Sequence, residues 1–381
     1  MPIIAFPKEV LTGEMRCALL PVNVKAYKLL GADVVIESGL GNNIFFSDDE
    51  YIKAGANVAQ HRDELLSNAD VVLSIHKLEA SELSKIKNKV AISYLDPFNH
   101  PEYVDELCKQ SISSFSVEMI PRISRCQKMD ALSSQASLAG YVMVTKAMSE
   151  LKSILPMMMT PAGTIKPAKV FVIGAGVAGL QAIATAKRLG AQVTAFDTRS
   201  EVAEQVQSLG AKFLAIDLGE TGQTSQGYAK ALTPEQMAIQ REEQAKCIAD
   251  SDIVITTAQL FGRKPPVLID QETIKKMMPG SVIVDMAAEN GGNVEGSVSG
   301  EIVEVHKVKI IGTGNWSNEV AKNASQMYAN NLLNLVSEFW MEENNNLVID
   351  PEDEIQRHCL ITYQGEISND MIKQHLQKES V

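Results

Sequence analysis

Short apolar runs alternate with polar stretches of helical period along the whole chain. In the first third of the sequence most apolar runs are brief and rich in aliphatic side chains, which favours buried strands of a parallel sheet. Polar stretches of helical period lie between them, for example at residues 21–30 and 48–54. Strands that alternate with helices predict a first α/β domain. Its predicted strands are residues 3–6, 33–36, 71–75, 90–95 and 114–118.

The same alternation returns after a long helical pattern at residues 130–154. A further helical stretch, residues 326–340, follows the last strand of this second region. Because the second sheet is already complete at that point, we expect the C-terminal segment to cross back and pack on the first domain. The predicted strands of the second region are residues 170–173, 193–196, 253–257, 282–285 and 309–312.

The strongest local motif is a glycine-rich turn between a predicted strand and a predicted helix. The strand at residues 170–173 enters the turn, and an alanine-rich amphipathic stretch, residues 177–189, follows it directly. A second strand then ends at an acidic residue, Asp197. Three glycines alone are weak evidence. Strand, turn, helix, strand and acid in this order are typical of a dinucleotide-binding unit.

Each glycine of the turn has its own predicted role. Gly174 permits the tight turn, Gly176 lets the backbone approach a pyrophosphate, and Gly179 lets helix and strand pack closely. The pyrophosphate would lie on the N–H groups and the positive dipole end of the helix that starts near Val177.

These patterns together predict the architecture. The fold class is α/β, with two Rossmann-like parallel-sheet domains separated by a cleft and joined by long helices. Residues 1–130 plus 324–381 are expected to form the first domain, and residues 131–323 the nucleotide-binding domain. Ligands of such proteins usually bind in the cleft.

Asp197 predicts which dinucleotide binds. A carboxylate at this point accepts hydrogen bonds from the adenosine ribose hydroxyls and repels a 2′-phosphate, which favours NAD(H) over NADP(H). Arg199 is the contrary signal, because its guanidinium could receive a phosphate. The alternative is that Arg199 lies over the adenine or pairs with Asp197. We expect NAD(H) as the cofactor of this chain.

Composition and charge exclude several classes of protein. The 381 residues are enough for two domains with separate cores. A net charge of −12 argues against nucleic acid as a partner and against a polybasic membrane anchor. Five scattered cysteines without C-x-x-C spacing favour reduced thiols over disulfides or a metal site. Without a signal peptide or a run of ~20 apolar residues, the chain is expected to be soluble, cytoplasmic and not inserted in a membrane.

Residues 219–231 form a polar, glycine-punctuated stretch with a single aromatic residue, Tyr228. Such a segment buries little apolar surface and is expected to be a mobile loop. It is either an ordinary surface loop or a lid whose Tyr228 closes over bound nucleotide. Composition alone leaves both interpretations open.

Several motifs together carry a resemblance to a known family. The most specific is Pro-Arg-Ile-Ser-Arg-Cys-Gln-Lys-Met-Asp-Ala-Leu-Ser-Ser-Gln at residues 121–135. Through this and other motifs, the chain resembles the NAD(H)-binding component of proton-translocating nicotinamide nucleotide transhydrogenases. This component is the soluble first portion of the alpha subunit, and the resemblance covers essentially the whole of the present chain. The other motifs are Pro7-Lys-Glu9, Gly13-Glu14, Arg16, the turn at residues 174–179, Gly227-Tyr-Ala-Lys230 and Asn290-Gly-Gly-Asn293.

The resemblance implies a role in a larger assembly. Members of the family are homodimers that dock on the membrane-embedded second portion of the alpha subunit and on a beta subunit that binds NADP(H). Hydride passes directly from NADH to the NADP⁺ of that partner, and the transfer is coupled to proton translocation. The resemblance therefore implies a cytoplasmic location, peripheral to the inner (plasma) membrane.

The resemblance also implies the site residues. A loop that holds the nicotinamide end of NADH would contain the catalytic positions Arg122, Gln127, Asp130 and Ser133. Other positions along the cofactor would be Ile123, Ser124, Val177, Thr198, Arg199, Gln240 and Gln259, together with Gly227 and Tyr228 of the mobile loop.

The loop residues suit this chemistry. Hydride transfer between two nicotinamides releases no proton. The site therefore needs only to fix which face of the nicotinamide ring is presented and its distance from the second ring. The Gln127 amide can orient the carboxamide, and Arg122 and Asp130 can form a charge-assisted pair. In the alternative interpretation Asp130 is the N-cap of the following helix and Arg122 is a surface arginine.

Two further interpretations remain open from sequence. Alanine dehydrogenases share the Pro-Lys-Glu and Glu-x-Arg patterns, and Arg16 and Lys77 could hold a substrate carboxylate. That reaction needs a histidine at the end of a first-domain strand, where this chain has Asp96. A non-catalytic NAD-sensing module is the second alternative, although a sensor needs no nicotinamide clamp. Gln259 departs from the transhydrogenase pattern, which usually has an apolar residue there.

Overall fold

The computed structural model describes residues 1–218, 232–259, 264–341, 343 and 345–379. The chain forms two compact units. The first consists of Met1–Gln135 together with Val320–Val381, and the second consists of Ala136–Glu319. Each unit is built around its own sheet.

The N-terminal region of the chain alternates strands and helices. The strands are β1 (Ile3–Phe6), β2 (Asp33–Glu37), β3 (Asn57–Ala59), β4 (Val71–His76), β5 (Val90–Tyr94) and β6 (Ser113–Ser116). The helices are α1 (Pro21–Leu29), α2 (Asp48–Ala54), α3 (Arg62–Asn68), α4 (Pro101–Lys109) and α5 (Ala131–Glu150).

Local sequence explains the ends of these helices. Pro21 opens α1 at a position where its missing N–H is not needed. Ser47 and Glu50 form a capping box at the start of α2, and Gly55 ends that helix with a φ of 105°.

The second unit continues the alternation. Its strands are β7 (Met158–Thr160), β8 (Gly163–Ile165), β9 (Lys169–Ile173), β10 (Gln192–Phe196), β11 (Lys212–Phe213), β12 (Ile253–Thr256), β13 (Val282–Asp285), β14 (Ile302–Val305) and β15 (Val308–Ile311). Its helices are α6 (Val177–Arg188), α7 (Ala203–Ser208), α8 (Pro234–Ala249) and α9 (Gln271–Ile274).

The C-terminal segment returns to the first unit. It contains α10 (Ala321–Glu338), β16 (Trp340–Met341), β17 (Asn346–Leu347), α11 (Glu354–Cys359), β18 (Leu360–Tyr363), β19 (Glu366–Ile367) and α12 (Asp370–Glu379).

The first sheet has the strand order β19-β18-β6-β5-β4-β1-β2-β3. Strands β1 to β6 pair in parallel, and the order reverses between β1 and β4. In a doubly wound sheet the carboxyl ends of the strands open a crevice at such a reversal. Strand β18 lies antiparallel beside β6, where the hydroxyls of Ser114 and Thr362 are 2.7 Å apart.

The second sheet has the order β11-β10-β9-β12-β13-β15-β14. All pairs are parallel except β14 with β15, and the order reverses between β9 and β12. Strand β9 is therefore central, and four of its five residues are buried. A hydrophobic core on this sheet includes Phe171, Phe196, Ile248, Ile283 and Ile310.

The predicted α/β class is confirmed, with three differences of detail. The sheets are not wholly parallel, because β18, β19 and β14 add antiparallel strands at the edges. The strand predicted at residues 114–118 ends at Ser116, where the chain turns into a short 3-10 helix, Val117–Met119. The late helix starts earlier than predicted, at Ala321. In the described part of the chain, no helix is long and apolar enough to cross a membrane.

Candidate functional site

The glycine turn of the second unit has the geometry that its sequence predicts. Strand β9 ends at Ile173, and Gly174 follows with a φ of 100°, a conformation that favours glycine. A Cβ at Gly174 would collide with the hydroxyl of Thr257, and one at Gly179 would collide with the carbonyl oxygen of Gly174. Both positions therefore require glycine for close packing.

Gly176 is different, because the described residues leave the space beside it open. It caps α6, and among those residues, its two chain neighbours aside, the only atom within 4 Å of a Cβ at this position would be Arg199 Nη2, at 4.0 Å. The first N–H groups of a helix have no intrahelical partner, and the helix dipole makes this end positive. The start of α6 can therefore accept an anionic group beside a cationic side chain.

Asp197 lies just past the end of β10, and it is only 8% exposed. Its Oδ2 accepts a hydrogen bond from the backbone N–H of Ala175 at 2.7 Å. Its Oδ1 accepts from the backbone N–H of Arg199 at 2.9 Å. The Arg199 side chain adds a two-pronged contact, from Nε to Oδ1 at 2.9 Å and from Nη2 to Oδ2 at 2.8 Å. The sequence left a pairing of these two residues open, and the structure contains it.

Asp285, the last residue of β13, anchors the loop that follows its own strand, and through Asn293 it also anchors the loop that follows β12. Its Oδ1 accepts from the N–H groups of Ala287 at 3.0 Å and Asn293 at 3.1 Å. The Asn293 amide in turn donates to the carbonyls of Ala258 at 3.0 Å and Pro266 at 2.9 Å. Asp285 was not predicted as a functional residue from sequence. The available signal was an acid at the end of a buried strand, the same signal that identified Asp197.

The other residues predicted along the cofactor have mixed exposure. Val177 is exposed at the start of α6, Thr198 is half-buried, and Gln240 is buried on α8. Gln259 is exposed, and its Nε2 donates to the carbonyl of Met286 at 3.4 Å. Gly227 and Tyr228 lie outside the described residues.

The predicted nicotinamide loop belongs to the first unit. Cys126 and Met129 are buried and hold the loop on the unit, whereas Arg122, Ser124 and Gln127 are exposed and Ile123 is half-buried. The loop therefore presents its polar side chains to the surface.

Asp130 caps helix α5. Its Oδ1 accepts from the Ser133 N–H at 2.8 Å, and its Oδ2 accepts from the Ser133 hydroxyl at 2.5 Å. This is the geometry of an N-cap residue and the third helical position. The two residues thus fix the base of the loop where it enters the helix.

Replacing Asp130 with alanine is expected to lower the free energy of unfolding of the first unit by about 1 kcal/mol, because the first turn of α5 loses its cap. Urea denaturation measures this change. Asp130→Asn is the matched control and should recover most of the loss, since an asparagine oxygen also caps. Equal losses for both variants would mean that capping is not the role of Asp130.

Arg125 is a loop residue that sequence reasoning missed. Its Nε donates to Glu338 at 2.7 Å and its Nη1 donates to Asp353 at 3.1 Å. Both partners are on the returning C-terminal segment, so the tail helps to hold the loop. No local sequence pattern pairs residues more than 200 positions apart.

A charged cluster, buried at Glu14 and Arg16 and half-buried at Glu9 and His76, lies where the first sheet reverses its order. Glu9 follows β1 and accepts from the N–H groups of Ile75 at 2.7 Å and His76 at 3.1 Å. Glu14 accepts from Arg16 Nη2 at 2.6 Å, and the His76 ring nitrogen lies 2.7 Å from the same carboxylate. From sequence, Glu9 and Glu14 were identified only as members of a motif, and Arg16 also as a possible partner of a substrate carboxylate.

The two acids of this cluster have opposite pKa shifts. Burial raises the pKa of Glu9, and the donated N–H groups only partly offset it. Burial also acts to raise the pKa of Glu14, but hydrogen bonds from Arg16 and His76 outweigh it and hold the pKa well below its usual range. Glu14 is therefore a buried carboxylate that stays charged.

The end of β5 lacks the histidine that alanine dehydrogenation needs. Asp96 stands there with a φ of 49°, and its N–H donates to Glu118 at 2.6 Å. Lys77 lies 3.4 Å from the carbonyl of Leu95, and burial lowers its pKa. His100, the nearest histidine along the chain, has a ring nitrogen 3.3 Å from Glu102.

Two known domain families match this chain over most of its length. The alanine dehydrogenase/PNT N-terminal domain matches residues 5–139, and the alanine dehydrogenase/PNT C-terminal domain matches residues 143–370. The chain belongs to the alanine dehydrogenase/PNT family.

Within the alanine dehydrogenase/PNT family, the chain is similar to transhydrogenases over nearly its whole length. It is 44% identical over 372 residues to the first portion of the NAD(P) transhydrogenase alpha subunit of Rhodospirillum rubrum, and the match covers 96% of this chain and 97% of that protein. The crystal structure of transhydrogenase from Sinorhizobium meliloti matches with a TM-score of 0.83 and 40% identity, covering 97% of this chain and 99% of that one. These relatives make the chain a transhydrogenase alpha-subunit component of the family, and thus an oxidoreductase.

A solved L-alanine dehydrogenase shares the fold of the alanine dehydrogenase/PNT family. It has a TM-score of 0.83 at 24% identity and covers 99% of both chains. At this identity the likeness concerns the fold alone.

Proposed function

We propose that this chain is the NAD(H)-binding component of a proton-translocating transhydrogenase. In this role it presents NADH so that hydride passes directly to NADP⁺ on a separate component. The observation that carries the proposal is the glycine turn, where the described residues leave space over Gly176 and where Asp197 directly follows the next strand. The alpha-subunit names of the transhydrogenase relatives support the same function.

The residues around the turn fit a dinucleotide. The N–H groups at the start of α6 would bind the pyrophosphate, and only glycine at position 176 leaves that approach open. Asp197 would accept hydrogen bonds from the adenosine ribose and repel a 2′-phosphate, which favours NAD(H) over NADP(H). Val177, Thr198, Gln240 and Gln259 are proposed to line the same cofactor.

The loop at residues 121–135 is proposed to hold the nicotinamide end. Arg122, Ser124 and Gln127 are exposed on it and can meet a ligand. Asp130 and Ser133 bond to each other, so we assign them the role of fixing the loop at the start of α5. Gly227 and Tyr228 are proposed to act from a lid over the nucleotide.

The reaction places few chemical demands on this chain. When bound, NADH supplies a hydride, so one C–H bond breaks, another forms on NADP⁺, and two electrons move with the hydride. No proton leaves a substrate, so no acid or base is required of the protein. Its residues need to fix the distance between the two nicotinamide rings and the faces that they present to each other, and to keep out water. Alanine dehydrogenation is not favoured, because Asp96 stands where that chemistry needs a histidine.

The subunit names of the relatives support a role for this chain in an assembly with other subunits. We propose that the chain forms a homodimer and docks on the membrane-embedded second portion of the alpha subunit and on an NADP(H)-binding beta subunit. This makes it a cytoplasmic component, peripheral to the inner (plasma) membrane, with proton translocation in the partner subunits. The net charge of −12 is consistent with a protein partner rather than nucleic acid.

Two assays test the function. The purified chain is mixed with NADH and a recombinant NADP(H)-binding component loaded with NADP⁺, and hydride transfer is followed by stopped-flow absorbance. In parallel, the chain alone is given NADH, pyruvate and ammonium. We expect transfer only in the first assay. Activity only in the second would establish an alanine dehydrogenase, and NADH binding with neither activity would favour a sensor.

Gln127→Asn is expected to slow hydride transfer and leave the NADH dissociation constant almost unchanged. The shorter side chain displaces the nicotinamide contact, and a displacement of about 1 Å can reduce the rate on the order of a hundredfold. Adenosine and pyrophosphate contacts preserve affinity. Single-turnover mixing measures the hydride step, and calorimetry measures binding.

Gln60→Asn is the matched control, since Gln60 is also an exposed glutamine of the first unit. It should change neither quantity. Equal losses of rate and affinity in Gln127→Asn would mean that Gln127 contributes to binding alone, and no change in either would remove it from the site.

A further inference from the structure

We propose that Arg199 competes with the adenosine ribose for Asp197 and, once displaced, binds the pyrophosphate of the dinucleotide. The inference rests on the proposed NAD(H) site and adds a residue that couples its two halves. In this inference Arg199 lowers the affinity of the site for the ribose and raises its affinity for the pyrophosphate.

The first step is the saturation of Asp197. An ionised carboxylate offers about four acceptor positions. All are used here, two by the backbone N–H groups of Ala175 and Arg199 and two by the Arg199 side chain. Ribose hydroxyls can therefore donate to Asp197 only if one of these donors leaves.

The second step is the choice of the donor that leaves. The two backbone N–H groups belong to the glycine turn and to the chain just after β10, so they are fixed by the fold. The Arg199 guanidinium is attached through a flexible side chain, and its two bonds to Asp197 can be broken by rotation of that side chain. It is therefore the member of this network that a ribose can replace.

The third step is the destination of the guanidinium. Among the described residues, the two chain neighbours of Gly176 aside, Arg199 Nη2 is the only atom within 4 Å of a Cβ placed on Gly176, at 4.0 Å. The turn there opens at the N terminus of α6. A pyrophosphate bound at that point would lie beside Arg199. The hydrogen bonds to Asp197 raise the pKa of the guanidinium, so it stays charged. An arginine can bind phosphate with two parallel hydrogen bonds.

This exchange predicts effects of opposite sign for two ligands in Arg199→Ala. Adenosine has the ribose but no phosphate, so it gains by the loss of the competitor and should bind several-fold more tightly. ADP-ribose and NADH lose the guanidinium partner of the pyrophosphate and should bind about tenfold or more weakly, as expected for one charge-assisted hydrogen bond.

The experiment measures the dissociation constants of adenosine, ADP-ribose and NADH by calorimetry for the whole chain. Arg188→Ala is the matched control, because Arg188 is an exposed arginine at the end of α6 and its removal changes the net charge equally. It should alter none of the three. Arg199→Lys keeps the positive charge but lacks the two parallel N–H donors of the guanidinium. It should retain most ADP-ribose binding while still improving adenosine binding.

Parallel weakening of all three ligands in Arg199→Ala, with an unchanged thermal midpoint, would overturn the inference. It would mean that Arg199 only holds Asp197 in position. If Arg199→Ala does not fold, the same comparison in Arg199→Lys decides, and loss of adenosine binding there is the contrary result. Wild-type protein that binds no NADH would instead refute the proposed function, independently of the Arg199 variants.

Discussion

Gly176→Ala is expected to weaken NADH binding by about ten- to a hundredfold and to leave the free energy of unfolding unchanged. The backbone at Gly176 has a φ of −77°, which alanine adopts without strain. Apart from the two chain neighbours of Gly176, the added Cβ would meet no atom of the described residues closer than 4.0 Å, but it would occupy the space where the pyrophosphate is proposed to approach α6. Losing one hydrogen bond to a charged group accounts for the expected range.

Calorimetry with NADH and urea denaturation of the same preparation check both halves of this result. Gly179→Ala provides the contrast, because its Cβ would overlap the carbonyl oxygen of Gly174 and should destabilise the second unit itself. Wild-type affinity in Gly176→Ala would show that the pyrophosphate does not bind at this turn.

Glu14→Ala is expected to destabilise the first unit by about 3–5 kcal/mol, the usual cost of removing one partner of a buried ion pair. The Glu14 side chain is completely buried, and it accepts two hydrogen bonds from the Arg16 side chain, at 2.8 and 2.6 Å. Without it, the buried guanidinium loses both of these bonds and retains the contact with Gln135 at 3.1 Å. The loss should therefore exceed that of any exposed ion pair.

The two tryptophans allow the measurement to be assigned to one unit. Trp340 lies in the first unit and Trp316 in the second, and both are buried. In a Trp316→Phe background, fluorescence during urea denaturation reports the first unit through Trp340. An effect of Glu14→Ala below about 1 kcal/mol in that background would contradict the pair as a source of stability.

The Glu14 contribution should also depend on pH. Because its pKa is lower in the folded chain than in the unfolded one, the stabilisation is complete above the unfolded value of about 4.3 and is lost as pH falls below it. The difference in stability between wild type and Glu14→Gln should be constant above about pH 5 and shrink at lower pH. A constant difference down to about pH 3 would mean that Glu14 is not the titrating group.

The sequence was sufficient where local geometry decides the structure. The turn at Gly174 to Gly179 is specified by sterics within a few residues and by one strand partner, so its geometry could be predicted from sequence. Asp130 could be interpreted as a cap because the cap and its donor lie three positions apart.

Contacts between distant segments were not accessible in the same way. The His76 contact with Glu14 spans 62 positions, and the Gln135 contact with Arg16 spans 119. Neither pair has a spacing that periodicity can reveal. The Asp197–Arg199 pair is a different case, because its residues are close in sequence and sequence alone allowed both a phosphate contact and an ion pair. Only side-chain geometry distinguishes these.

The antiparallel pairing of β18 with β6 has a consequence for biosynthesis. The ribosome completes the contiguous second unit, Ala136–Glu319, before it makes residues 360–363. The Ser114 and Thr362 hydroxyls, 248 positions apart, can meet only after that. Until then β6 is an open strand edge, which readily pairs with other chains. The nascent first unit therefore lacks its last strands while its neighbour is already able to fold, and this interval is when the growing chain most needs protection by a chaperone.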